Sequence, residues 1–230
     1  MQTLIAVSFP TEYTPLVMVT LFVIGCVLLR PVSKFLHEYG MSMCSGHPVP
    51  RMAICLYMVS GTLMLLSPAP LMERIAALLL LSFLLQLSVM DVLSGWLPRQ
   101  FTLACLVSGV LVSISLQSVS ITLFATVLML AGMGVLRKLM NWHSQCEALG
   151  MGDVWLIGAL CAWLTGLPAL IGCMIGLSGF VLWHLAQLPH RSSKGGPLGP
   201  WLSLGSVVML LERLFLPVWQ TVFWTVWNPC

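Results

Sequence analysis

Asp91 and Asp153 are the only aspartates in this sequence, and both stand where apolar runs begin or end. Asp91 closes Leu-Leu-Leu-Leu-Ser-Phe-Leu-Leu-Gln-Leu-Ser-Val-Met and opens Asp-Val-Leu-Ser-Gly-Trp-Leu-Pro-Arg. Asp153 stands in Gly-Met-Gly-Asp, directly before Val-Trp-Leu-Ile-Gly-Ala-Leu. Two carboxylates brought within a few Å cannot both ionise, so they share a proton. The ionised member can then activate water while the protonated one polarises a carbonyl. That is peptide hydrolysis by acid–base chemistry, without a covalent intermediate. Gly150 and Gly152 put no side chain beside the second acid, so a substrate backbone can come close. The competing reading makes both aspartates helix caps or interface residues, solvated by headgroups and water. Glu38 and Glu147, the other acids near the same face, fall in loops and read as solvated.

The elements that must position these acids follow from composition. The chain has only ten basic and seven acidic side chains in 230 residues. That is 7% charged, against roughly 25% in soluble domains. Hydrophobic residues make up 59%, and mean hydropathy is +0.99. So few charges cannot cover a soluble surface, which excludes a cytosolic enzyme and a secreted disulfide scaffold. A nucleic-acid binder would need a basic face, and disorder is incompatible with this apolar content. None of the eight cysteines forms a C-x-x-C pair, and most lie in apolar runs, where a thiol packs as a small hydrophobe.

The expected fold is all-α, a polytopic membrane bundle of about eight transmembrane helices. Apolar runs predict spans near 14–30, 52–67, 74–91, 100–117, 119–137, 153–167, 169–188 and 200–225. Arg30, Lys34, Arg51, Arg99, Arg137, Lys138, Arg191 and Lys194 fall on one side of that arrangement, and only Arg74 and Arg213 on the other. The positive-inside rule makes the first side cytoplasmic and turns both termini outward. Both aspartates then lie at cytoplasmic helix ends, at comparable depth. Residues 1–230 read as a single integral-membrane domain, with a first cytoplasmic loop at about 31–51. Met1 to Tyr13 lacks the basic region and cleavage site of a removable signal peptide.

Three segments between 80 and 205 resemble the bacterial type IV prepilin peptidases. Gly-Met-Gly-Asp (150–153) is similar to that family's G-x-G-D segment. Asp91 with Leu97-Pro98 and Phe101-Thr102 resembles its first aspartate motif. Pro197-Leu198-Gly199-Pro200-Trp201-Leu202 resembles its Pro-Phe-Gly-Pro-Phe-Leu stretch. The resemblance implies an intramembrane aspartyl endopeptidase of the bacterial cytoplasmic membrane, with its active site facing the cytoplasm. Its partners would be prepilins or pseudopilins, whose basic leader is cut at the cytoplasmic edge of a hydrophobic helix. Asp91 and Asp153 would be the catalytic pair. Pro98, Gly150 and Gly152 would shape the neighbourhood, and Pro197, Gly199 and Pro200 would help close the site. No cofactor is implied for the hydrolysis, and no nucleic-acid partner. The pilus, secretion or conjugation system served, and the oligomeric state, stay open.

Two departures from the family pattern stand out. Trp155 occupies a position where the family often has Lys. Many members also carry paired C-x-x-C motifs in a long first cytoplasmic loop, linked to methylation of the new amino terminus. Here that loop holds one cysteine, Cys44, so methylation is expected to be absent or supplied otherwise. Cys44, His47, His143 and Cys146 are of a type that could bind tetrahedral zinc, but the expectation is four unrelated loop residues and no metal. His184 reads as a packing histidine, and Trp219, Trp224 and Trp227 as an outer aromatic belt. The alternative function is a small proton-coupled transporter using the same aspartates as a relay. Such proteins often carry repeated halves, and the two aspartate segments do not resemble each other.

Overall fold

The computed structural model describes residues 11–41, 48–116, 119–144, 149–187 and 196–227, side chains at 11, 116, 143–144 and 217–227 excepted. It contains eight α-helices: α1 (Thr14–Glu38), α2 (Pro48–Leu66), α3 (Leu71–Ser94), α4 (Arg99–Leu116), α5 (Val119–Ser144), α6 (Met151–Leu164), α7 (Gly166–Gln187) and α8 (Gly199–Trp227). No strand occurs among the described residues. Segments of α1, α2, α3, α5, α7 and α8 are long and apolar enough to cross a membrane; α4 and α6 are shorter apolar helices. The chain is a polytopic helical membrane bundle.

The main difference from the hydropathy reading is at α1, which continues past Arg30 and Pro31 to Glu38. Its buried residues Leu21, Gly25, Leu29, Val32 and Leu36 recur every three or four positions, so one helical stripe carries it beyond the apolar run. The interior Pro31 lacks an N–H for the helix ladder. One turn earlier, Gln86 of α3 donates to the Leu28 carbonyl at 3.1 Å.

Helices α3 and α6 form the interior, and each carries one aspartate. From Val154 to Leu164 every residue of α6 except Trp155 is buried. A helix apolar all round belongs inside a bundle, and α6 is enclosed by α4, α5, α7 and α8. It has 14 residues, so it is about 21 Å long, less than the roughly 30 Å hydrocarbon core. Helix α3 packs against α1, α2, α4 and α8. Helices α7 and α8 approach so closely that Gly172 and Gly176 face the Trp201 and Gly205 backbone directly.

Candidate active site

Three segments far apart in sequence converge at one end of the bundle. The first is the C-terminal turn of α3, where Asp91 is 5% exposed. That helix stops at Gly95, whose φ of 72° is left-handed and whose N–H bonds the Asp91 carbonyl at 2.8 Å. The chain then runs through the buried Leu97 and Pro98 into α4, with the Pro98 carbonyl accepting from Phe101 and Thr102 at 3.1 and 3.3 Å.

The second segment is the start of α6. Gly150 is its N-cap, in extended conformation, and Asp153 lies in the first turn. The Asp153 carboxylate turns back over Gly150 and accepts its backbone N–H, the arrangement of an acid three residues into a helix. A Cβ on Gly152 would stand 2.6 Å from the Leu97 Cβ and 2.8 Å from the Leu97 carbonyl oxygen. Only glycine lets α6 start against the loop that follows Asp91. The entry to this segment is pinned from α5: Arg137 Nε donates to the Leu149 carbonyl at 3.1 Å, and the Leu149 N–H donates to Asn141 Oδ1 at 3.3 Å.

The third segment is Pro197 to Pro200. The Leu198 carbonyl accepts from Trp201 and Leu202, both at 3.1 Å, which starts α8. Pro200 occupies the first turn of that helix, where a missing N–H costs nothing. The preceding Gly199 N–H is therefore free to donate outward, and it donates to Asp91 Oδ2 at 2.6 Å. A Cβ on Gly199 would meet that same oxygen at 2.8 Å.

Each acid thus accepts a glycine N–H at a helix N-terminus, Asp91 from α8 and Asp153 at α6. Helix dipoles favour negative charge at both places, and hydrogen bonds to a carboxylate are the strong kind. The two carboxylates lie near enough for their charges to act on one another. Asp91, Asp153, Pro98, Gly150, Gly152, Gly199 and Pro200 all gather here. Pro197, half-buried, enters the same segment without a hydrogen bond to either acid among the described residues.

Sequence reasoning missed three neighbours. Arg137 and Arg99 counted only as markers of sidedness, yet Arg137 holds Leu149, and the Arg99 guanidinium lies 5.7 Å over the Trp155 ring. The signal for that stack was a base directly after Pro98 and an aromatic two residues after Asp153. The Trp155 Nε1 is buried without a hydrogen-bond partner among the described residues. Ser88 of α3 donates to Ser203 of α8 at 2.8 Å, joining the helices one turn below Asp91. His184 packs on Phe180 at 4.9 Å between ring centroids. The zinc candidates Cys44, His47 and Cys146 lie outside the described residues, as does the side chain of His143. So do the side chains of Trp219, Trp224 and Trp227.

Residues 78–187 match the model of the type IV leader peptidase family. The chain is 34% identical over 194 residues to the prepilin leader peptidase/N-methyltransferase of Pectobacterium carotovorum subsp. carotovorum, covering 81% of this chain and 67% of that protein. It is 34% identical over 158 residues to the type 4 prepilin-like proteins leader peptide-processing enzyme of Escherichia coli O78:H11 (strain H10407 / ETEC), covering 61% of this chain and 53% of the relative. Against the Klebsiella pneumoniae prepilin leader peptidase/N-methyltransferase it is 35% identical over 144 residues, 58% of this chain and 61% of that one. The chain thus spans about half to two thirds of the length of these curated relatives. No solved structure matches.

Proposed function

The chain belongs to the type IV leader peptidase family, and we propose that it is an aspartyl endopeptidase that removes the basic leader of prepilin-like proteins at the inner face of the bacterial cytoplasmic membrane. The observation that carries this reading is the hydrogen bond from Gly199 to Asp91, which ties the third motif to the first beside Asp153. In this mechanism Asp91 and Asp153 share one proton. The ionised acid takes a proton from water, the water oxygen attacks the scissile carbonyl, and the protonated acid donates toward the carbonyl oxygen. Collapse returns a proton to the leaving amine and regenerates the pair. Gly150 and Gly199 fix the orientation of the acids, while Gly152, Leu97 and Pro98 set how near their helices come. Six described bases on α1, α2, α4 and α5 share the Asp end of the bundle, which supports a cytoplasmic site.

The reading includes proteolysis without N-methylation, although relatives are named for both activities. It is supported by a connection from Tyr39 to His47 between α1 and α2 that holds one cysteine and no C-x-x-C pair. The test is co-expression with a prepilin in membranes, measuring leader removal and the mass of the new N-terminus. Cleavage that yields an unmethylated terminus is expected. Intact cleavage by Asp91→Asn or Asp153→Asn would sink the endopeptidase reading, and a methylated product would sink only the second part.

A further inference from the structure

An apolar groove opens directly beside Asp91. Its floor is α3 from Leu81 to Val92, one wall is α2 with Met52 and Leu56, and the other is α8 with Leu204 and Val207. Helices α2 and α8 both pack along α3 but scarcely touch each other, so the space between them stays open. It encloses about 300 Å³, and no charged side chain lines it.

The hydroxyls in this groove are already used. Ser88 donates to Ser203 at 2.8 Å, Ser60 donates to the Leu56 carbonyl, and the Tyr57 hydroxyl lies 3.3 Å from that of Ser82. An occupant therefore finds an apolar wall with few polar groups to satisfy, and must itself be apolar. Eleven residues separate Leu81 from Val92, so the floor is about 17 Å long, or three helical turns. Ala53, Ser60 and Ser203 are small enough for a helix backbone to come close.

The groove also reaches the immediate neighbours of Asp91. Val92 follows Asp91 in the chain, Ser88 lies one turn before it, and Pro200 follows the glycine that donates to Asp91. A helix seated here with its N-terminus at that end would place the peptide bond preceding it at the carboxylates. Its positive dipole end would face them too.

We propose that this groove between α2, α3 and α8 seats the first three turns of the substrate's hydrophobic helix, immediately after the scissile bond. The proposal rests on the endopeptidase reading and names where that substrate binds. Bulk at its walls should therefore block cleavage without touching either acid.

The test uses the full chain in membranes and a prepilin fragment with a basic leader, a junction glycine and an apolar segment. Ala53→Trp and Leu204→Trp should each lower leader cleavage by about tenfold or more, while Phe124→Trp, on the exposed face of α5, leaves it unchanged. A photo-crosslinking residue at Leu56 or Leu204, in an Asp153→Asn background that holds substrate uncut, should capture the first turns of the apolar segment. The same residue at Phe124 should not. The crosslinks decide even if a tryptophan variant folds poorly. Equal capture from Phe124, or capture of lipid or a second copy only, overturns the groove while wild-type cleavage leaves the protease reading standing. A wild-type protein that cuts no leader overturns both.

Discussion

Helix α8 meets α3 near both ends of α3, with opposite chemistry. Glu73 of α3 pairs with Arg213 of α8 at 3.7 Å. Beside them Arg74, only 1% exposed, donates from Nε to the Ala69 carbonyl at 2.6 Å and from Nη1 to the Leu65 carbonyl at 3.0 Å. Glu73, Arg74 and Arg213 each face an opposite charge or backbone carbonyls, which is how a membrane protein keeps ionisable groups at low cost. Eighteen residues further along α3, about 27 Å away, Asp91 meets α8 through a backbone N–H and has a second acid for a neighbour. The Arg end resolves its charges; the Asp end keeps a conflict. The first end serves stability, and the second is where the proposed function puts the reactivity.

Substitutions that separate activity from stability should break this comparison if it is wrong. The largest effect is expected from Asp91→Asn or Asp153→Asn. Leader cleavage should fall by about 10³-fold or more, with thermal unfolding in detergent unchanged or shifted upward as the like-charge conflict is removed. A destabilised Asp91→Asn protein would make that acid a structural cap instead. Next comes Gly199→Ala, whose Cβ would press on Asp91 Oδ2. We expect activity to drop by about 10–100-fold, with most of the loss in kcat, as measured on the prepilin fragment.

A shared proton also has a pH signature. Cleavage should decline at high pH, where both acids ionise, and at low pH, where both are protonated. Rates that stay flat to about pH 10 would rule out a shared proton as part of the mechanism. At the Arg end, Arg74→Leu should leave the Leu65 and Ala69 carbonyls unsatisfied and cost about 2–4 kcal/mol of stability. Activity per folded molecule should persist, as judged by cleavage normalised to correctly folded protein. The smallest effect is Glu73→Gln. That pair is about a third exposed, so its loss should cost only about 0–1 kcal/mol in a thermal-unfolding assay.

Much of the bundle was legible because membrane helices announce themselves by apolar length, and two aspartates in so apolar a chain are conspicuous. The number of helices follows from those runs. The end of α1 did not, since Val32, Phe35 and Leu36 continue a buried stripe among charged residues that hydropathy averages away. Arg74 and Arg213 counted as two charges on one side, yet a guanidinium buried against carbonyls is a tertiary fact. The closure of the site by the third motif was legible only as an expectation. Its physical form, a glycine N–H reaching an acid 108 residues earlier in the chain, depends on how α8 lies along α3. The stack of Arg99 on Trp155 likewise needs α4 beside α6.

The shortness of α6 bears on where the aqueous phase ends. A rod about 9 Å shorter than the hydrocarbon slab cannot reach both headgroup layers, so at least one end of α6 stops within it. If that end is the one carrying Asp153, as the proposed function requires, the helices α4, α5, α7 and α8 that enclose α6 would shield a recess there from lipid. On that reading the proposed hydrolysis would require no excursion of the substrate helix into water. The boundary would come to the peptide bond instead, and the depth of the recess would set how many residues of an incoming chain remain dry when it is cut.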